Sequence, residues 1–286
     1  MKSNATIRII IYSIVIFVLI AVLTVSIVKH IINRNSNTLT LIPAGEGTVT
    51  SNFTTSADQV KDLQIEWVSG NITFVQADTD EITVVETGRF RDNEKMVVMQ
   101  NGSKLIIQYC EERVSVNFFS FGLSVNTEKD LTITVPKDWV CNELEVDSAS
   151  AELELSNMTI NELDVNTASG EINANQCTVS EVTLNTVSGN IDFVGTLDTL
   201  NCHGVSANCN ITVTNAPKSI EMEAVSGDLN LTLPSECGFC ASMETVSGDF
   251  SSEFAIMTRD DTYIYGDGAC NIEMKSVSGN IEINEG

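Results

Sequence analysis

Eight times along the chain, a corner of the type Val/Ala-Ser-Gly/Ala-Asn/Asp/Glu separates two short runs in which apolar and polar residues alternate. The corners are VSGNI at 68–72, ASAEL at 149–153, ASGEI at 168–172, VSGNI at 187–191, VSANC at 205–209, VSGDL at 225–229, VSGDF at 246–250 and VSGNI at 277–281. With each serine as position zero, positions −6 and −4 hold pairs such as Leu63/Ile65, Leu144/Val146, Leu163/Val165, Val182/Leu184, Ile220/Met222 and Ile272/Met274. Positions +3 and +5 hold Ile72/Phe74, Leu153/Leu155, Ile191/Phe193, Leu229/Leu231 and Ile281/Ile283. A period of two on both sides of a glycine-type bend predicts two short strands, each with one buried face.

The serines are 69, 150, 169, 188, 206, 226, 247 and 278, so successive steps are 81, 19, 19, 18, 20, 21 and 31 residues. A repeat near twenty residues is too short for a propeller blade of about 40–45 residues, and neither the leucine-rich pattern nor any helical spacing occurs. The prediction is an all-β fold: a single-stranded right-handed β-solenoid of ~19–21-residue coils, with equivalent strands stacked at ~4.8 Å. The 81-residue step reads as about four coils with decayed corners, and the 31-residue step as one coil plus an insertion. Some 240 residues then give about twelve coils and a rod of about 55 Å. For 73–140 a pair of antiparallel β-domains is the alternative. The last strand, with Glu282 and Glu285, is expected to leave an open edge that charge, a cap or a partner must protect.

Ahead of the repeats, Ile9 to Val28 is a charge-free run of twenty residues, enough for a helix to cross a ~30 Å hydrocarbon core. It is longer than a signal-peptide core and lacks a small-x-small cleavage site, which predicts an uncleaved signal-anchor. The chain therefore divides into a cytoplasmic stub at 1–8, a transmembrane helix at 9–28, a polar stalk at 29–45 and the β-solenoid at 46–286. Expected is a single-pass cell-membrane protein with its bulk outside the cytoplasm.

Charge sharpens this division. The 286 residues carry 39 acidic and 15 basic side chains, and four of the bases (Lys2, Arg8, Lys29 and Arg34) precede the first acid, Glu46. An acidic body of this kind is repelled by nucleic acid, which argues against a nucleic-acid partner.

The repeat also places candidate chemistry in register. Position +2 stacks Asn190, Asn208, Asp228 and Asp249 with Asn71, Glu152, Glu171 and Asn280. Oxygen ligands in a column are the donor set calcium takes, whereas Asn and Asp at a turn also bond their own backbone. Eight cysteines outside the cytoplasm invite disulfides. Cys202 and Cys209 fall in core columns, as buried thiols or an internal staple. Cys237 or Cys240 is expected near Cys270 on a neighbouring coil. Cys237-Gly-Phe-Cys240 has redox spacing but no helix to lower a thiol pKa. His203 follows Cys202, so the two side chains point to opposite faces. Phe118, Phe119 and Phe121, and Tyr263 with Tyr265, are candidate partner patches or core filling.

The segments LQIEWVSGNITF, LTITVPKDW, LPSECGFCASMETVSGDFSS and YGDGACNIEMKSVSGNIEI together resemble the DUF4097, or putative-adhesin, family of bacterial β-strand-repeat envelope proteins, over roughly residues 46–286. The resemblance implies a surface or envelope protein, some relatives having one amino-terminal span, and it implies no enzymatic activity and no catalytic residues.

The resulting expectation is a membrane-anchored, non-catalytic, adhesin-like interaction protein, bound to the membrane by its amino-terminal helix and to an envelope protein or surface glycan. It needs no cofactor unless calcium fills the +2 column. A sensory accessory of an envelope-stress system and a carbohydrate-active β-helix enzyme are the alternatives, although no motif selects two catalytic carboxylates among the 39 acids.

Overall fold

The computed structural model describes residues 47–110, 115–117, 122–124 and 129–286. The predicted stub, span and stalk, and Phe118, Phe119 and Phe121, lie outside them. No helix among the described residues is long and apolar enough to cross a membrane. One sheet of twenty strands dominates, and an isolated pair, Ser115–Asn117 with Gly122–Ser124, is separate from it.

The repeats form the expected stack. Asp62–Ala77, Val140–Ser156, Thr159–Thr167, Ile172–Ser188 and Ile191–Ser206 lie parallel, each in register with the next. The predicted columns align across them, as in Leu63↔Leu144, Leu144↔Leu163, Leu163↔Val182 and Val182↔Leu200. Their inward side chains are buried, along with those at +3 and +5 such as Ile72, Ile191, Leu229 and Ile281. Each such Leu or Ile contributes about 1.5–3 kcal/mol by leaving water. Position −1 turns inward at Val68, Ala149 and Val205 but not at Val246, which is exposed.

Two expectations about order are corrected. The 81-residue step does not contain four decayed coils. Ser69 pairs directly with Ser150, and among the described residues only one further parallel layer without a recognisable corner, Lys104–Gln108 with Leu131–Pro136, stacks on the first coil. The intervening chain instead makes antiparallel ribbons. Lys104–Gln108 and Leu131–Pro136 lie parallel to the first coil, and Val97–Asn101 and Glu81–Gly88 fold back on them antiparallel. Antiparallel pairing needs only a short turn, whereas each further parallel coil needs a full circuit of chain.

The second correction concerns the end of the chain. Cys270–Ser278 does not stack outside Phe239–Ser247 but enters between it and Ser219–Ser226. Ser278 is in register with Ser226 on one side and Ser247 on the other. Ile281 likewise lies between Leu229 and Phe250. The last strand is thus interior, with no open edge. The outer coil carries the cap instead, where Phe239–Ala241 pairs antiparallel with Tyr263–Tyr265, followed by Met257–Arg259.

Candidate functional site

The outward positions form continuous polar ladders along the stack. On the strand before the corner, position −3 reads Glu66, Asp147, Asn166, Asn185, His203, Glu223, Lys275 and Glu244 in spatial order. Gln108 Nε2 donates to Glu66 Oε2 at 3.0 Å, and Asn166 Nδ2 to Asp147 Oδ1 at 3.2 Å and Asp164 Oδ1 at 3.0 Å. Asn185 Nδ2 donates to Asn166 Oδ1 at 2.9 Å, and its own Oδ1 lies 3.2 Å from His203 Nδ1. Lys275 Nζ donates to Glu223 Oε1 at 3.2 Å and also pairs with Glu273.

The first coils add Asp62, Glu143, Glu145, Glu162, Asp164 and Glu181 to the same face, where Lys104 bridges Glu143 and Glu145. Burial, above all, pushes the Asp147 carboxyl up to about 6, with Glu145, Glu66 and Asp164 adding to the effect against the Asn166 hydrogen bond. Asp164 is raised by burial and then by Glu145. Because Asp147 takes up protons more readily folded than unfolded, its ionisation costs stability as pH rises from about 4 to about 6. Asp147→Asn is therefore expected to stabilise the protein at pH 7 by about 1–2 kcal/mol, after discounting for partial exposure. Below pH 4 the gain should vanish, as denaturant unfolding at the two pH values will show.

The corners are held by a feature the sequence reading missed. Position −2 carries buried hydroxyls at Ser148, Thr167, Thr186 and Ser276. Ser148 Oγ accepts from Ala151 N at 2.9 Å and Thr167 Oγ1 from Gly170 N at 3.0 Å, so each closes its own bend. In the first coil Trp67 occupies this position, and its Nε1 donates to the Lys129 carbonyl at 2.8 Å. The recurrence of Ser and Thr at −2 was the available signal.

Of the proposed calcium column, Asn190, Asn208, Asp228 and Asp249 share one edge, but Asn280 stands between Asp228 and Asp249, so the two carboxylates are not neighbours. The oxygens of Asn208, Asp228 and Asn280 serve backbone amides of the adjoining coil. Asp228 N donates to Asn208 Oδ1 at 3.0 Å, Asn280 N to Asp228 Oδ1 at 2.7 Å and Asp249 N to Asn280 Oδ1 at 3.1 Å. Asn208 Nδ2 reaches Asn190 Oδ1 at 3.4 Å.

All eight cysteines carry free thiols. Cys202 and Cys209 meet inside one coil, and the hydrogen bond from Cys209 together with burial raises the Cys202 pKa. Cys237 meets Cys270 of the inserted strand; burial pushes the Cys270 thiol up to about 12 and raises Cys237 as well. Cys240, half-buried, lies beside Asn271 and Ile264 instead. A raised thiol is the reverse of what thiol–disulfide catalysis requires. Tyr263 and Tyr265 pack on the cap: Tyr263 lies 4.6 Å from the Phe250 ring, Tyr265 4.7 Å from Phe254, and the Tyr265 hydroxyl donates to the Ser235 carbonyl at 2.9 Å. Cys202 is buried while His203 faces outward, as alternation requires.

These features define a class: an all-β stacked-repeat protein whose conspicuous chemistry lies on its outer ladders. The chain belongs to the family described as Toastrack DUF4097, whose model matches residues 60–284. No curated protein matches the sequence. Among solved structures, a putative adhesin from Bacteroides fragilis NCTC 9343 is 13% identical, with a TM-score of 0.45 over 84% of this chain and 98% of that one. A putative lipid binding protein from Parabacteroides distasonis ATCC 8503 is 17% identical, with a TM-score of 0.44 over 85% and 97%. A putative cell adhesion protein from Clostridium sporogenes ATCC 15579 is 12% identical, with a TM-score of 0.40 over 82% and 99%.

Proposed function

We propose that this chain is a membrane-anchored, extracytoplasmic, non-catalytic interaction protein that binds an envelope protein or surface glycan through one long side of its stack. The observation that carries this reading is the −3 ladder with its flanking acids. Its side chains are bonded to one another from Asp147 to His203 and again between Glu223 and Lys275, so much of the surface is ordered before any partner arrives. Preorganisation lowers the ordering cost of binding. The carboxylates of the first coils select a partner with positive charge or polar hydroxyls and speed its approach. The apolar run Ile9–Val28 supports the anchor, with the short charged segment before it on the cytoplasmic side. Photo-crosslinking from Glu162 in intact cells carrying the full-length chain tests this reading, and one dominant captured partner is the expected result.

A further inference from the structure

We infer that His203, Glu221 and Glu223 form a binding site for a divalent transition metal such as zinc, on the outer face of two adjoining coils. His203 and Glu223 are register partners on neighbouring strands, and Glu221 lies two residues before Glu223 on the same face. One ligand atom from each lies within 4.8 Å of the others. Imidazole nitrogen and carboxylate oxygen are a donor set that zinc accepts, and three protein ligands leave a position open for water or for a group on a partner.

Two further observations point to a metal. The first is the direction of the ladder. The ionised carboxylates of Asp147 and Asp164 can only accept, so Asn166 must turn its amide nitrogen toward them, as it does at 3.2 and 3.0 Å. Its oxygen then accepts from Asn185, which leaves the Asn185 oxygen facing His203 Nδ1 at 3.2 Å. That nitrogen must donate. The proton of neutral His203 is therefore held on Nδ1, and Nε2 keeps the lone pair a metal needs. An amide or carboxylate that fixes the tautomer in this way is the usual outer support of a metal-bound histidine. The second observation is charge. Glu221, Glu223 and Glu273 share this spot, among the described residues, with the cation Lys275, which bonds Glu223 at 3.2 Å and also pairs with Glu273. Glu223 is only 8% exposed. A divalent cation balances this carboxylate charge.

Zinc titrated into the full-length chain tests the site. Calorimetry is expected to show one site tighter than any other, accompanied by a shift of the His203 ring resonances. His203→Gln and Glu221→Gln should each weaken that site at least about tenfold, and Asn185→Ala, which removes no ligand, by a smaller factor. Glu221 is partly exposed and His203 lies outside the core, so the metal-free thermal midpoints should change little and separate ligand loss from misfolding. The inference is overturned if zinc binds both variants as tightly as the parent chain, if binding disappears only when the cysteines are alkylated, or if no zinc binds.

Discussion

Lys129→Met is expected to destabilise the protein by about 3–5 kcal/mol, because it leaves a buried carboxylate without its counter-charge. Lys129 and Glu86 are both wholly enclosed, with Nζ 3.0 Å from Glu86 Oε1. The ammonium also donates to the carbonyls of Cys110, at 2.6 Å, and Glu94, and it lies 4.1 Å from the centre of the Tyr109 ring. Glu86 Oε2 in turn accepts from the Met96 amide at 2.8 Å. The pair thus ties the Glu81–Gly88 strand to the strand that begins at Lys129, where the antiparallel ribbons close over the first coil. Removing one charge is costly, whereas removing both is much less so. The double variant Lys129→Met with Glu86→Gln should recover a substantial part of the loss, and urea midpoints of the three variants measure this directly. A single variant as stable as the parent would show that the enclosed pair contributes little.

Gly227→Ala is expected to cost about 3 kcal/mol. Gly227 has a φ of +137°, and a Cβ there would lie 2.0 Å from the Ala207 carbonyl oxygen, closer than any real contact. The same carbonyl stacking recurs at the inserted coil, where a Cβ on Gly279 would meet the Gly227 oxygen at 2.0 Å. The methyl added at Gly227 therefore pushes on the interface with the coil of Ala207, and Gly279 is the equivalent tight position one interface further on. The same substitution at Gly102 is the control for glycine loss alone: its φ is +61°, but nothing lies within 4 Å of an added Cβ. Thermal unfolding of the two variants should differ clearly, with Gly227→Ala melting lower.

Much of the fold was legible because one constraint repeats. Leu63, Leu144, Leu163 and Val182 occupy one column in the sequence and one column in the core, and the alternation around them sets which face is buried. Period two does not, however, encode strand direction. Glu81–Gly88 alternates as the coils do, yet pairs antiparallel, so the long first step was overfilled with coils. Nor does the pattern encode stacking order. The coil ending at Ser278 presents the same columns to Ser226 as to Ser247, and its entry between them depends on a hairpin, Met257–Tyr265, that draws the chain outward and back. That insertion in turn separates Asp228 from Asp249. His203 was placed correctly on the outer face, but its partners were overlooked. Glu223 shares its column one coil later, and Glu221 lies in the neighbouring outward column, so both were within reach of the register already drawn.

If the ordered acidic side of the stack is the binding surface, partner capture depends on where on the stack the probe sits. A photo-crosslinker is introduced in the full-length chain at Glu162, exposed on that side, and separately at Glu152, exposed at the corner column, and both are irradiated in intact cells. The predicted result is one dominant adduct from Glu162, weakened as added salt shortens the screening length from about 10 Å at 0.1 M toward about 3 Å at 1 M, and little or none from Glu152. Equal capture from the two positions, or capture from Glu152 alone, would contradict the claim.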